Sequence, residues 1–183
     1  MSDSLEFRKA RLSDVAALQQ LIQRFVVQGV MLPRNELELA EHIRDFVVAA
    51  APDGSLLGAG ALHIYSPTMA EIRSLAVNPE TQGRGVGRRI VDSLVLEAED
   101  LGLHALFAFT YATGFFERLG FHEVSRNELP LKVWKDCLRC PKLQACDEIA
   151  VLRMLSRSKD NSLFLPILPQ EELVIIPRLK SNT

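Results

Sequence analysis

Residues 74–94, SLAVNPETQGRGVGRRIVDSL, run from an apolar segment through a turn holding three glycines into an amphipathic stretch. This passage commits the chain to a strand followed closely by a helix. Val86, Ile90, Val91, Leu94, Val95, Ala98 and Leu101 recur at helical spacing, and the stripe stops at Gly102, a C-terminal cap. At the joint, Gly83, Gly85 and Gly87 alternate with larger residues. Arg84, Arg88 and Arg89 crowd the same helix start, where the helix dipole favours anions over cations. An anion from outside the sequence resolves the misfit. Glycine lets the backbone come close to it, the unsatisfied amides of the first helical turn point at it, and arginine complements its charge.

Pattern alone leaves competing readings of the turn. A Walker A loop needs Gly-Lys-Ser/Thr at its end, and this turn ends Gly-Arg-Arg. A dinucleotide fingerprint sits in the first strand-to-helix turn of its unit with an acidic residue about 20 positions on, whereas this turn comes late in the chain. A tight turn with a solvated basic face is the remaining alternative.

The flanking segments place the turn in an α/β domain. After a short strand at LEFRKA, Ser13 caps a helix with apolar residues from Val15 to Val26 at helical spacing. Asn35 and Glu38 resemble a capping box for a second helix. Between Phe46 and Val77, three apolar segments divided by PDGS and YSPTM read as an antiparallel meander. HALFAFT follows the glycine-turn helix as a buried strand, ATGFFERLG as a short helix and FHEV as a further strand, while CDEIAVLRMLSRS reads as helical. The order β, α, α, β, β, β, α, β, α, β implies a mixed sheet flanked by helices.

The 183 residues suit a single domain over 1–155, followed by a tail over 156–183. That tail holds too many apolar residues for a free linker, so it is expected to dock on the domain or on a neighbouring subunit of a homodimer. A net charge of −2 gives no general attraction to nucleic acid, and no apolar run of about 18 residues is present to span a membrane. The opening MSDSLEFRKARL is polar, unlike a signal peptide, which makes the cytoplasm the default location.

Gln82, Gly85 and Gly87 in EIRSLAVNPETQGRGVG, with GFFERLGF further on, resemble the Q/R-x-x-G-x-G/A signature and closing aromatic motif of the GNAT acetyltransferases. The resemblance covers roughly residues 5–155 and implies that family's fold, a mostly antiparallel sheet splayed beside the cofactor. It also implies acetyl-CoA as donor, with no metal required. The pyrophosphate would lie on the amides of Gly83, Arg84, Gly85, Val86, Gly87 and Arg88, and the pantetheine arm along the backbone of Leu75, Ala76 and Val77.

GVMLPRNELELAEHIRDF, AEIRSLAV, FAFTYATGFFERLGF and ELPLKVWKDCLRCPKLQACDE resemble a narrower group, the short bacterial N-acetylglutamate synthases. L-Glutamate would then be the acceptor. Its α-ammonium must lose a proton before attack, and Glu71 is placed to take it directly or through water. Departing coenzyme A needs a proton in turn. Many GNAT enzymes carry a tyrosine where this chain has Phe115 and Phe116, so Thr113 or Tyr111 takes the acid role here. Arg34 matches an arginine that holds the α-carboxylate in the related enzymes, with the amide of Ser74 sharing it; Arg73, Lys132 and Lys142 are candidates for the side-chain carboxylate. Another amino acid or a protein N-terminus as acceptor, or a non-catalytic acetyl-CoA sensor, stands as the alternative.

Cys137, Cys140 and Cys146 form a C-x2-C-x5-C cluster. A zinc site there would need His122 or Asp147 as a fourth ligand; the simpler reading is a set of reduced, partly buried thiols packing a turn, and a third is that the cluster, lying in the family-like segment, shapes the glutamate pocket.

Overall fold

In the computed structural model, which describes residues 5–129 and 146–155, a mixed sheet runs through the molecule with helices on both faces. In chain order the elements are β1 (Glu6–Lys9), α1 (Val15–Val27), α2 (Glu36–Glu41), β2 (Phe46–Ala50), β3 (Leu56–Ser66), β4 (Met69–Val77), α3 (Val86–Asp100), β5 (Ala105–Thr110), α4 (Thr113–Glu117), β6 (His122–Glu123) and β7 (Ile149–Met154). The sheet order is β1-β2-β3-β4-β5-β7-β6, and every neighbouring pair is antiparallel except β4 with β5.

Local chemistry sets the first two helices. Asn35 accepts from the Glu38 amide at 2.9 Å while the Glu38 carboxylate accepts from the Asn35 amide at 3.2 Å, the reciprocal cap expected for α2. The entry to α1 differs from the sequence expectation. A 3-10 turn over Leu12–Asp14 precedes the helix, and Asp14, not Ser13, anchors it. Its carboxylate accepts from the Arg11 amide at 2.7 Å and from both Arg8 Nη atoms at 2.7 and 3.0 Å. A charged acceptor reached by a guanidinium from β1 makes stronger bonds than a serine hydroxyl could.

The period-2 alternation of the strands divides the core between the two faces. Val47 and Ala49 join Val86, Ile90, Val91 and Leu94 of α3, while Val48 and Ala50 join Leu18, Leu21 and Ile22 of α1. β2 is buried on both sides throughout, which is why FVVAA shows no polar residue. On β3, Gly58 and Gly60 let α3 lie close: a Cβ at either would come within 2.9 Å of Ile90, and at Gly58 within 2.9 Å of Val86 as well.

β7 corrects the helical reading of CDEIAVLRMLSRS. Residues 149–154 form a strand inserted between β5 and β6, in register from Thr110 against Ile149 to Ala105 against Met154. A short apolar run does not announce its own period. Here tertiary packing imposes period 2, sending Val151 into the α3 side of the core and Ala150 and Leu152 toward Phe107.

The parallel pair β4–β5 is the fold's functional irregularity. Its register holds for Met69 with Ala105, Ala70 with Leu106 and Glu71 with Phe107, and then ends, although β4 continues to Val77 and β5 to Thr110. Beyond Glu71 the two strands part. The residues at the parting line the candidate site.

Candidate active site

Two adjoining cavities open along the splay. One of about 380 Å³ is lined by the loop after α1, by Glu71 to Leu75 of β4, by Phe109 to Ala112, and by Arg126, Cys146 and Glu148. The other, about 590 Å³, lies over Val77, Thr81 to Gly83, and Gly85 to Arg88 at the start of α3. Phe25, Leu75, Ala112 and Phe115 line both, so the two share walls and meet at the end of the splay.

The second cavity is the groove that the glycine turn builds. Gly85 holds φ +77° as the N-terminal cap of α3, and a Cβ there would meet no protein atom within 4 Å. Its lack of a side chain therefore answers a backbone conformation and an open approach, not internal crowding. The amides that open the 15-residue helix have no carbonyl one turn earlier, and the helix dipole adds to their pull on an anion. Gln82, Gly83, Gly85, Val86, Gly87 and Arg88 line this groove as the motif implies.

The other cations of the turn are spent differently. Arg84 is exposed and outside the groove's walls. The guanidinium of Arg89 stacks 3.9 Å from the ring centre of Phe7 on β1, and Arg88 also reaches Asp92 one turn on at 3.7 Å. The crowding of cations that marked this turn is thus partly packing between α3 and the first strand.

Along the splay, Leu75 and Val77 present side chains to the groove, whereas Ala76 turns into the core beneath α1. Ser74 carries φ +51°, the one non-glycine positive φ among the described residues. Ala59 pairs with Ala76 and Ala61 with Arg73, so Ser74 and Leu75 together oppose Gly60 alone. This is a β-bulge, and it turns the backbone of Ser74 at the mouth of the first cavity.

Glu71 sits at the last paired position before the strands part, and it is 9% exposed. The Tyr65 hydroxyl donates to its Oε2 at 3.1 Å. Tyr65 is itself fixed between His63, edge-on at 4.9 Å between ring centres, and Phe107 at 5.5 Å. The carboxylate thus faces the cavity with its orientation set from β3.

Arg34, Arg73, Ser74 and Tyr111 reach the same cavity as Glu71. The Gln19 side chain donates to the Arg34 carbonyl at 3.4 Å, tying the loop between α1 and α2 back to α1. Tyr111 donates to Asp147 at 2.7 Å. Thr113 is half-buried at the first turn of α4 and is not among the cavity's walls. Lys132, Lys142, Cys137, Cys140 and the segment 156–183 lie outside the described residues.

Arg126 and Glu148, both missed by the sequence reading, complete the first cavity. Arg126 Nη2 donates to the carbonyls of Cys146, at 3.4 Å, and Glu148, lies 3.0 Å from Cys146 Sγ, and its guanidinium stands 5.7 Å from the Phe109 ring centre. With the Tyr111–Asp147 bond, this clamps residues 146–148 across one wall. Cys146 therefore forms part of the cavity wall. Nothing local marks Arg126 or Glu148 for this role, because they meet across 22 positions of chain. Tyr65 did leave a signal: the YSPTM turn pairs Ser66 with Met69 and His63 with Glu71, which brings Tyr65 beside Glu71.

Residues 15–121 match the model of the Acetyltransferase (GNAT) family. The chain is 40% identical over 148 residues to an uncharacterized N-acetyltransferase of Chlorobaculum tepidum, spanning 81% of this chain and 95% of that protein. It is 39% identical over 134 residues to the amino-acid acetyltransferase of Mycobacterium tuberculosis, spanning 72% of this chain and 76% of that one. Among solved structures it superposes on N-acetylglutamate synthase from Neisseria gonorrhoeae, complexed with coenzyme A and N-acetyl-glutamate, with a TM-score of 0.76 and 29% identity. That match covers 86% of this chain but only 36% of the longer synthase. A Mycobacterium tuberculosis protein solved in complex with CoA matches with a TM-score of 0.71 and 33% identity, over 82% of this chain and 99% of that one.

Proposed function

The chain belongs to the GNAT family of acetyltransferases, and from that premise we propose that it transfers the acetyl group of acetyl-CoA to the α-amine of L-glutamate, the opening step of arginine biosynthesis. The observation that carries the reading is the junction of the two cavities. A groove suited to an anion at a helix start meets, at the splay, a cavity that holds a buried carboxylate and is lined by three arginines.

In this reading the amides from Gly83 to Arg88 hold the pyrophosphate of acetyl-CoA, and the edge of β4 from Ser74 to Val77 receives its pantetheine arm as an added strand. Such an arm fits the gap left where β5 turns away after Phe107. The thioester then lies at the shared walls near Leu75 and Phe115.

Arg34 and the Ser74 amide bind the acceptor's α-carboxylate, and Arg73, on the same cavity wall, binds the side-chain carboxylate. Glu71 takes a proton from the α-ammonium, directly or through one water. The freed amine attacks the carbonyl carbon, the new C–N bond forms, the nitrogen gives its second proton to solvent, the C–S bond breaks, and coenzyme A departs as a thiolate. Tyr111 lines the cavity and Thr113 does not, which supports Tyr111 as the group that returns a proton to that sulfur. Relatives named amino-acid acetyltransferase support an amino acid as the acceptor class.

The test is thiol release from acetyl-CoA by the purified protein with a panel of amino acids. Glutamate should give the highest kcat/KM. Equal turnover across the panel would overturn glutamate as the acceptor, and no turnover with any amine would leave an acetyl-CoA-binding sensor.

A further inference from the structure

Apart from the two cavities, the described residues contain a second cluster with the donor chemistry of a site. His42 closes α2, Asp45 lies in the 3-10 turn over Ile43–Asp45, and His63 stands on β3. Their ligand atoms lie within 4.8 Å of one another. Asp45 Oδ2 is 3.2 Å from His63 Nδ1 and 3.4 Å from His42 Nδ1.

We propose that His42, Asp45 and His63 form a binding site for a first-row divalent cation of the zinc class. The distances carry much of the argument. Zinc bonds of ~2.0–2.1 Å to nitrogen and oxygen in a tetrahedron place neighbouring donor atoms ~3.3–3.4 Å apart. The two imidazole–carboxylate separations, which also suit a hydrogen bond and an ion pair, fall close to that edge length, and the imidazole–imidazole edge is no longer than 4.8 Å. The donor set agrees: two neutral imidazoles and one carboxylate suit zinc and its neighbours, and a harder cation such as magnesium would call for more oxygen.

Accessibility agrees as well. The side chains of His42, Asp45 and His63 are 41%, 27% and 24% exposed, which leaves room for a water or an outside ligand in the fourth position. His42 and Asp45 come from the continuous turn between α2 and β2 and His63 from β3, so the site is closed across two parts of the fold. Both imidazoles would bind through Nδ1 and carry their proton on Nε2. Each is held by an edge-to-face ring contact, His42 on His63 at 5.5 Å and His63 on Tyr65 at 4.9 Å. The site is distinct from the cysteine cluster and lies on the β3 side of Glu71, behind Tyr65.

Titration of the metal-free full-length protein with Co2+ and Zn2+, read by visible absorption and calorimetry, tests the assignment. One equivalent of Co2+ should bind with the d–d bands of tetrahedral coordination and without the near-ultraviolet charge transfer of a thiolate ligand, and Zn2+ should displace it. H42A and H63A should each weaken binding by more than the ~10–100-fold that loss of an outer-shell partner costs. Both are partly exposed positions, and the melting temperature of each variant shows that it is folded. Simultaneous replacement of Cys137, Cys140 and Cys146 by serine should leave the stoichiometry unchanged. Absence of saturable binding, or binding that survives H42A and H63A but disappears in the cysteine variant, would overturn the proposal.

Discussion

The two cavities are built from the chain in opposite ways. The groove at the start of α3 takes most of its walls from one continuous passage, Leu75 to Arg88, because a strand, a glycine turn and a helix start are consecutive in sequence. Its partner collects residues from the loop after α1, from β4, from the end of β5 and from two segments near residues 126 and 146. Only one of them carries a local signature. The contrast teaches that geometry a motif encodes in place, here a helix start whose amides suit an anion, can be read directly, whereas chemistry that depends on side chains meeting across the sheet waits for the topology.

If this division is functional, variants on the two sides should fail differently. The largest effect is expected on the acceptor side: Glu71→Ala should lower kcat by ~10²–10⁴-fold while leaving acetyl-CoA affinity within a few-fold of wild type. Calorimetry with acetyl-CoA alongside steady-state kinetics separates the two, and an unchanged kcat would remove Glu71 as the base.

On the donor side, Gly85→Val places a branched side chain at φ +77° and over the groove. The expected loss of acetyl-CoA affinity is at least ~10-fold, about 1.4 kcal/mol. Wild-type affinity in that variant would break the reading of the cradle.

Tyr65→Phe sharpens the acceptor side. The phenol donates to Glu71, and a donor to a carboxylate favours its ionised form. Its removal should lower kcat/KM by about a few-fold and move the acid limb of the pH–rate profile to higher pH. A uniform loss with no change in that limb would mean Tyr65 only packs.

The smallest expected effect lies outside both cavities and serves as a control. The Arg8 side chain, and after it the Arg11 amide, hold the Asp14 carboxyl below the usual carboxylate range, against the opposing effect of burial. A group whose pKa is depressed on folding adds stability above its unfolded value of ~3.9, and loses it as pH falls through the folded value. Asp14→Asn should therefore cost about 1–3 kcal/mol near neutral pH, with the difference from wild type shrinking below about pH 4. Denaturant unfolding at several pH values measures this, and kinetic constants for both substrates should be unaffected.

The legibility of the fold follows the same division. The capping box at Asn35, the turn at Gly85 and the helical stripe from Val86 were readable because their partners lie within four residues. β7 was misread because this short, mostly apolar run acquires a period only when β5 and β6 bind it on either side. Arg89 was assigned to the anion because its aromatic partner, Phe7, lies far away in the chain. The loop carrying Arg34 and the strand carrying Glu71 were singled out from their resemblance to known enzymes, and their meeting in one cavity depends on how α1 crosses the sheet.

The sequence by itself determined the groove at the start of α3: a glycine-rich turn between a strand and an amphipathic helix, whose opening amides suit an anion regardless of distant neighbours. Only the tertiary structure decided the parting of β4 and β5 after Glu71, the bulge at Ser74, the bond from Tyr65 to Glu71 and the clamp of Arg126 on residues 146–148. Side-chain pairs of that kind form only when strand order and register bring them within reach. Register is set by the packing of whole sheet faces, which no short segment specifies alone.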